Sequence, residues 1–223
     1  MLELKPSDKP PLNSEGVWSE ILRRPLRSGR PALFLDRDGA VVEEAGYLCR
    51  VGDIVVISGA AEVISAANRR GIPVVMVTNQ SGIGRGYYGW TEFKSVQDAL
   101  LAMLAAYGAQ IDAIYACAHH PKAEGFLAHP DHPARKPNPG MLLQAAADLA
   151  LNLKSSWLVG DKANDIEAAK RAGIAGALHV ATGYGAAERQ QAAKLAGLNF
   201  DLRFGQSIAD AMTLPVLMPK DGA

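Results

Sequence analysis

Short apolar runs rich in β-branched residues alternate along the chain with longer segments of helical composition. The runs are predicted to be strands and cover residues 32–35, 72–77, 111–117, 156–159 and 177–180. The segments between them carry Ala, Leu and charged residues at helical spacing and cover residues 60–70, 91–106, 140–151 and 164–172. Apolar strands joined by helices indicate a parallel sheet covered on both faces. We therefore predict an α/β fold with a doubly wound, Rossmann-like sheet.

The first part of the chain has a different composition. Residues 1–30 mix Pro, Ser and charged residues, and we predict an N-terminal arm with a short helix around residues 17–24. Residues 31–223 are predicted to form the domain, with a solvated helix at 186–196. The intervals between the strands hold helices and short loops, which leaves no room for a large cap domain.

Polar residues follow four of the predicted strands. The first strand is followed by Asp36 and Asp38, the second by residues 78–81, the third by residues 117–120 and the fourth by Asp161. Ligands of doubly wound sheets bind at the carboxyl ends of the strands. Turn propensity explains single Asp, Asn or Gly residues there, but not two acidic sites that converge on one edge of the sheet.

The acidic residues at these strand ends suit a divalent cation. Asp36 and Asp38 are two residues apart, so their carboxylates repel each other unless a cation or a shared proton lies between them. Asp161 supplies a third oxygen. Carboxylate and carbonyl oxygens favour Mg²⁺, which readily takes a phosphate as a further ligand.

Composition excludes several classes of protein. The 223 residues include 23 Lys and Arg and 23 Asp and Glu, and this balance argues against a nucleic-acid-binding surface. No apolar run reaches the roughly 18 residues that a membrane span needs, and the N-terminus lacks the apolar region of a secretory signal. Because Cys49 and Cys117 are the two cysteines, we expect no disulfide framework and a cytoplasmic protein.

Four stretches of the chain resemble, in order, the motifs of the haloacid dehalogenase (HAD) superfamily of phosphatases. They are FLDRDG at 34–39, VVMVTNQSG at 74–82, RKPNPGM at 135–141 and LVGDKANDIEAA at 158–169. The stretches CAHH and HPDHPARKP resemble the subgroup that contains the heptose 1,7-bisphosphate phosphatases and the histidinol phosphatases. The resemblance covers residues 31–185.

The resemblance implies a Mg²⁺-dependent phosphohydrolase that works through an aspartyl-phosphate. Asp36 matches the nucleophile, and Asp38 matches the general acid and base whose backbone carbonyl also binds the metal. Thr78 and Lys136 match the groups that bind the transferring phosphoryl oxygens. Asp161 matches the third magnesium ligand.

Further positions are predicted to contact the substrate. Arg135 fits a bidentate contact with a second phosphate, the alternative being a surface arginine. Lys162 and Asp165 are expected to orient the metal site, the alternative being a solvated first helical turn. The predicted substrate-binding residues are Glu44, Ala45, Gly46, Tyr47, Asn79, Gln80, Ser81, Arg135 and Lys162.

A second metal site is predicted in the loop at 117–134. Cys117, His119, His129 and His132 offer the ligands of a tetrahedral Zn²⁺. The zinc loop of the subgroup resembles Cys-x-His followed by Cys-x-Cys before Arg-Lys, and this chain departs from it with His132 and Ala134. Two interpretations stay open, a structural Zn²⁺ with one Cys and three His ligands, or a proline-braced loop with polar, exposed histidines.

The expected partner is a small phosphorylated molecule, and the chain is expected to be a monomer or a small homo-oligomer. A sugar bisphosphate such as heptose 1,7-bisphosphate comes first, with the 7-phosphate sugar and inorganic phosphate as products; histidinol phosphate or another phosphomonoester is the alternative. A non-catalytic, zinc-stabilised binding module is disfavoured because the residues needed for phosphoryl transfer are present. A dinucleotide-dependent oxidoreductase would need a glycine-rich turn after the first strand, where this chain has Asp-Arg-Asp-Gly.

Overall fold

Seven strands form one sheet in the computed structural model, which describes residues 10–218. In chain order they are β1 (Trp18–Ile21), β2 (Leu33–Leu35), β3 (Val74–Asn79), β4 (Ala113–Cys117), β5 (Trp157–Gly160), β6 (Gly176–His179) and β7 (Asp201–Phe204). Their order across the sheet is β1-β4-β3-β2-β5-β6-β7. Strands β2 to β7 are parallel and β1 is antiparallel, which confirms the predicted doubly wound α/β fold.

Helices cover both faces of the sheet. They are α1 (Ala60–Arg69), α2 (Ser81–Gly84), α3 (Trp90–Ala105), α4 (Gly140–Leu149), α5 (Ala163–Arg171) and α6 (Gly185–Ala193). Helices α1 and α3 pack on one face, and α4, α5 and α6 pack on the other. Short 3₁₀ turns lie at Val51–Asp53, Gly125–Leu127, Leu153–Ser155 and Ile208–Thr213.

The central strands show why the apolar runs are continuous. Leu33 and Leu35 of β2 point into the core beneath α1 and α3, whereas Phe34 points into the core beneath α4 and α5. Successive side chains of a strand alternate between the two faces, and here both faces are covered. Every position of β2 is therefore apolar and buried.

The predicted helix at 17–24 is wrong, because this segment contains β1, an edge strand paired with β4. Val17 and Trp18 are both buried and enter opposite cores, which is the alternation of a strand. The ring of Trp18 lies 5.5 Å from that of Trp90 and 5.1 Å from that of Phe93. These aromatic contacts fix the predicted arm to the sheet.

Strand β7 was not predicted, because its four residues, Asp201–Phe204, contain no two consecutive apolar positions and are exposed at both ends. Its place is set by backbone pairing with β6. Between the strands, the longest connections carry α1, α3 and α4, and residues 10–218 form no separate cap domain beside the one sheet. No helix in this part of the chain combines the length and the apolarity required to span a membrane.

Candidate active site

The site lies at the carboxyl ends of three neighbouring strands. Strand β2 runs between β3 and β5, and Phe34 is level with Val75 on one side and Leu158 on the other. The segments that follow these strands line a cavity of about 240 Å³. The predicted site residues that line it are Asp36, Asp38, Glu44, Gly46, Tyr47, Thr78, Asn79, Gln80, Ser81, Arg135, Lys136 and Lys162.

Lys136 is the buried cation of the site. Its Nζ lies 2.9 Å from Asp36 Oδ1 and 2.6 Å from Asp165 Oδ1, and it donates to the Val77 carbonyl. Burial alone lowers the pKa of Lys136, but the charges of Asp165 and Asp36 outweigh it, so the pKa is raised. The side-chain amide of Asn79, predicted to bind substrate, is instead hydrogen-bonded to the backbone N–H and carbonyl of Lys136.

Asp161 is fully buried, and only one of its two carboxylate oxygens has a hydrogen-bond partner. Its Oδ2 accepts the backbone N–H of Tyr184 at 2.8 Å, whereas its Oδ1 has no hydrogen-bond partner. Gly39 and Gly183 both have positive φ and pack against this carboxylate so closely that a Cβ at either position would clash with Oδ2. The glycines thus leave room for a carboxylate whose second oxygen is available to a ligand.

Three buried carboxylates form a cluster. Ligand atoms of Asp36, Asp161 and Asp165 all lie within 4.8 Å of one another. Burial, with the charges of Asp36 and Asp165, raises the pKa of Asp161 to about 8. Burial and Asp36 likewise raise the pKa of Asp165 to about 6, opposed by Lys136. The ammonium of Lys136 contacts two of these three carboxylates, and Lys162 pairs with a fourth, that of Glu44, so the cluster suits a further cation.

The donor set of this cluster fits Mg²⁺. All three side chains offer hard oxygen ligands, and the unpartnered Oδ1 of Asp161 is the free ligand atom that a cation needs. Asp165 was predicted to orient the metal site and lies within the cluster itself. Its Oδ2 also accepts the N–H of Lys162, which caps the start of α5.

A buried amide connects two of the predicted catalytic residues. Gln80 Nε2 donates to Asp38 Oδ2 at 2.9 Å and to Thr78 Oγ1 at 2.8 Å. Its Oε1 accepts from Arg37 at 3.2 Å and from the Tyr88 hydroxyl. The guanidinium of Arg37 also binds both oxygens of Asp38 at 3.0 Å. Asp38, whose backbone carbonyl is the predicted metal ligand, directs its carboxylate to Arg37 and Gln80, outside the carboxylate cluster.

The loop after β2 forms another wall of the cavity. Glu44 Oε1 accepts the Gly46 N–H, and Glu44 Oε2 pairs with Lys162 Nζ at 3.1 Å. Burial lowers the pKa of Lys162, but the charges of Asp36, Asp161 and Glu44 raise it by a larger amount. The net shift of the pKa is therefore upward. Ala45, predicted to bind substrate, is exposed and does not line the cavity, because the turn points it to solvent.

Arg135 lies at the edge of the cavity and is held by the 117–134 loop. Its Nη1 donates to the His119 carbonyl at 3.0 Å. Burial lowers its pKa. A partly desolvated guanidinium that lines the cavity gives a second cationic group next to Lys136.

The histidines of the 117–134 loop lie close together, with the ring centroids of His119, His129 and His132 between 3.7 and 6.3 Å apart. The rings of His119 and His132 stack at 3.7 Å with their planes 3° apart. Imidazole lone pairs lie in the ring plane, so two stacked rings do not direct nitrogens at one ion. Burial raises the pKa of the Cys117 thiol to about 11 in the metal-free protein.

Three residues that shape the site were not predicted, namely Arg37, Tyr88 and Tyr184. Arg37 is fully buried between two acidic residues, and nothing in a single sequence distinguishes it from a surface arginine. Tyr184 follows Gly183, and this glycine is the signal that a backbone passes close to another group there.

Comparison with known proteins identifies similar enzymes. The HAD-hydrolase-like family model matches residues 133–200. A D-glycero-β-D-manno-heptose-1,7-bisphosphate 7-phosphatase of Mesorhizobium japonicum is 50% identical over 166 residues, covering 74% of this chain and 76% of that enzyme. The enzyme of that name from Escherichia coli K12 is 37% identical over 155 residues, covering 69% and 80%.

Two solved structures share the fold. A HAD-like phosphatase from Mesorhizobium loti has a TM-score of 0.75 and 48% identity, covering 77% of this chain and 83% of that one. A D,D-heptose 1,7-bisphosphate phosphatase from B. bronchiseptica, in complex with magnesium and phosphate, has a TM-score of 0.70 and 29% identity, covering 80% and 94%.

Proposed function

Because the chain belongs to the HAD-like hydrolases and is a phosphatase, a phosphoric monoester hydrolase, we propose that it removes the 7-phosphate of a heptose 1,7-bisphosphate. The similar enzymes are named 7-phosphatases, and this corrects the products expected from the sequence. Cleavage at position 7 leaves the sugar 1-phosphate and inorganic phosphate.

One geometric observation supports a bisphosphate substrate. A single cavity is lined by Asp36, by Lys136 and by the guanidinium of Arg135 as a further cation. The first two suit the phosphoryl group that is transferred, and Arg135 suits a second anionic group on the same molecule.

The proposed reaction has two steps. In the first, an oxygen of Asp36 attacks phosphorus, the bond from phosphorus to the sugar oxygen breaks, and Asp38 donates a proton to that oxygen. In the second, Asp38 takes a proton from water, the water oxygen attacks the phosphorus, and Asp36 is released. Thr78 donates a hydrogen bond to the phosphoryl oxygens, and Lys136 neutralises their charge.

The carboxylate cluster is the proposed Mg²⁺ site, with Asp36 and Asp161 as side-chain ligands, Asp165 beside them and the backbone carbonyl of Asp38 as a fourth group. Bound there, Mg²⁺ neutralises phosphoryl charge and fixes the orientation of the phosphate. The chain's own contribution is to hold these carboxylates together against their mutual repulsion.

The substrate proposal predicts a selective effect of Arg135→Ala. Hydrolysis of the heptose bisphosphate should lose about 10- to 100-fold in kcat/KM, because one charged hydrogen-bonding group contributes roughly 1.5–3 kcal/mol. Hydrolysis of 4-nitrophenyl phosphate should change by less than about threefold, since it carries no second anion. Phosphate release from a panel of sugar phosphates, sugar bisphosphates and histidinol phosphate measures both effects.

Arg69→Ala is the matched control, because Arg69 is an exposed arginine on α1. Equal losses of Arg135→Ala on both substrates would reject the role of Arg135 in binding the distal group. A wild-type preference for histidinol phosphate would replace the heptose substrate with that alternative.

We further propose that the 117–134 loop folds without zinc, contrary to the first of the two interpretations from the sequence. The stacked pair of His119 and His132 supports this proposal. Purified protein is expected to hold less than about 0.1 equivalent of zinc, and a strong chelator should leave its melting temperature in Mg²⁺-free buffer unchanged. One equivalent of zinc that disappears in Cys117→Ser would contradict it.

Cys49 and Cys117 are both free thiols, as a reducing cytoplasm requires. We propose a cytoplasmic enzyme without nucleic-acid or membrane partners that acts as a monomer or a small homo-oligomer.

A further inference from the structure

Every hydrogen-bonding position of the Gln80 side-chain amide, which lies next to the cavity, is used. An amide has two N–H donors and two acceptor positions on its oxygen, and all four are used here. The donors go to Asp38 and Thr78, and the oxygen accepts from Arg37 and Tyr88. The side chain is 2% exposed although it follows a strand that opens into the cavity.

The surrounding groups allow one orientation of this amide. Arg37 is always a donor, and its guanidinium faces Oε1 at 3.2 Å. Turning the amide over would place Nε2 against the guanidinium and Oε1 against the Asp38 carboxylate. Both contacts would be repulsive, so Arg37 and Asp38 together set which end of Gln80 faces Thr78.

This orientation has a consequence for the Thr78 hydroxyl. A hydroxyl has one proton to donate, and Thr78 Oγ1 already accepts a hydrogen bond from Gln80 at 2.8 Å. The Thr78 proton is therefore not used by Gln80 and is free to point into the cavity. A donor held in place before the substrate arrives stabilises developing negative charge without reorganisation.

We propose that Gln80 is a positioning residue that sets the hydroxyl of Thr78 as a donor to the phosphoryl group and holds the carboxylate of Asp38 at the leaving oxygen. Arg37 and Tyr88 act through Gln80 by fixing its amide. This inference rests on the proposed reaction and assigns Gln80 a task other than the direct substrate contact that the sequence predicted.

Gln80→Glu tests the proposal, because it keeps the shape of the side chain and replaces both donors by an acceptor. We expect kcat/KM for the sugar phosphate to fall about 100-fold or more, as when one preorganised donor of an active site is removed. The loss on 2,4-dinitrophenyl phosphate should be at least about tenfold smaller, since that leaving group needs no proton from Asp38. The parameter kcat/KM covers steps up to release of the leaving group, so hydrolysis of the phosphoenzyme does not obscure the comparison.

Two further variants keep the test decisive. Tyr88→Phe removes one hydrogen bond to the Gln80 oxygen and should lower kcat/KM for the sugar phosphate by about 3- to 10-fold, the value of one ordinary hydrogen bond. Gln144→Glu is the matched control, since the exposed Gln144 also donates to a carboxylate, Asp148, but far from the site. It should leave activity unchanged.

A double-mutant cycle separates positioning from general damage. If Gln80 acts through Thr78, the losses from Gln80→Glu and Thr78→Val should be clearly less than additive. Additive losses, or equal losses of Gln80→Glu on both leaving groups, would overturn the proposal. If Gln80→Glu does not fold, an unchanged kcat/KM in Tyr88→Phe overturns it. If the wild type does not hydrolyse the heptose bisphosphate, the proposed substrate is wrong, but the proposal for Gln80 can still be tested. The comparison of leaving groups works with any alkyl phosphate that the wild type hydrolyses.

Discussion

Asp36→Asn is expected to reduce phosphate release by about 10⁴-fold or more while the protein stays folded. Asparagine has nearly the same shape as aspartate but does not attack phosphorus to form an acyl phosphate. Asp36 also pairs with Lys136 at 2.9 Å, and this contact is weakened. The same change removes repulsion from Asp161 and Asp165, so the effect on stability is the difference of two opposing changes.

The measurement is steady-state phosphate release together with thermal unfolding of the variant. Acid quenching during turnover of a radiolabelled phosphate ester adds a direct readout, since the wild type should carry label on the protein and Asp36→Asn should not. Asp53→Asn is the control, because Asp53 is an exposed aspartate in a 3₁₀ turn away from the cavity. Full activity of Asp36→Asn would reject Asp36 as the nucleophile.

Removal of divalent cations is expected to lower activity by more than about 10³-fold and to reduce stability. Added Mg²⁺ should then raise the free energy of unfolding, by about 2.7 kcal/mol when its concentration is 100 times the dissociation constant. The physical reason is the cluster of Asp36, Asp161 and Asp165, whose mutual repulsion a divalent ion removes. Calorimetry with and without Mg²⁺ measures this gain.

The stabilisation by Mg²⁺ should depend on pH in a definite direction. In the metal-free protein the pKa of Asp161 is raised to about 8, from about 3.9 in the unfolded chain. The folded state then binds the proton more tightly, so this group stabilises the metal-free fold at low pH and the contribution is lost as pH rises toward 8. Mg²⁺ should therefore raise the melting temperature more at pH 8 than at pH 6.

Asp161→Asn should abolish most of this Mg²⁺-dependent shift, whereas Asp98→Asn, on the exposed side of α3, should retain it. An equal shift in all three proteins would show that Mg²⁺ acts elsewhere on the surface.

Much of the fold could be predicted from local patterns. The segment predicted as a strand at 72–77 appears as β3 at Val74–Asn79, and the helix predicted at 60–70 appears as α1 at Ala60–Arg69. Strand β1 could not be predicted, because the apolar pattern around Trp18 is too short to distinguish a strand from a helix. Strand β7 depends on a neighbour 25 residues earlier, with Gly176 paired to Asp201.

The residues proposed to carry the chemistry could be nominated from the sequence, because most of them follow a predicted strand and the strand ends meet at one edge. The hydrogen-bond partners of those residues could not be predicted from the sequence. Asn79 and Gln80 are polar amides in one motif, and the sequence predicts the same task for both. In the structure one holds the backbone of Lys136 and the other holds Asp38 and Thr78.

By itself, the sequence determined that this is a doubly wound α/β protein with acidic residues and a threonine at the ends of its strands, because apolar periodicity and strand order are local or topological properties. The tertiary structure alone decided which atoms are already satisfied and which are free. The unpartnered oxygen of Asp161, the stacked rings of His119 and His132, and the oriented amide of Gln80 all depend on distances between segments far apart in the chain. Hydrogen bonding and metal ligation change over fractions of an ångström, a scale that no one-dimensional pattern contains.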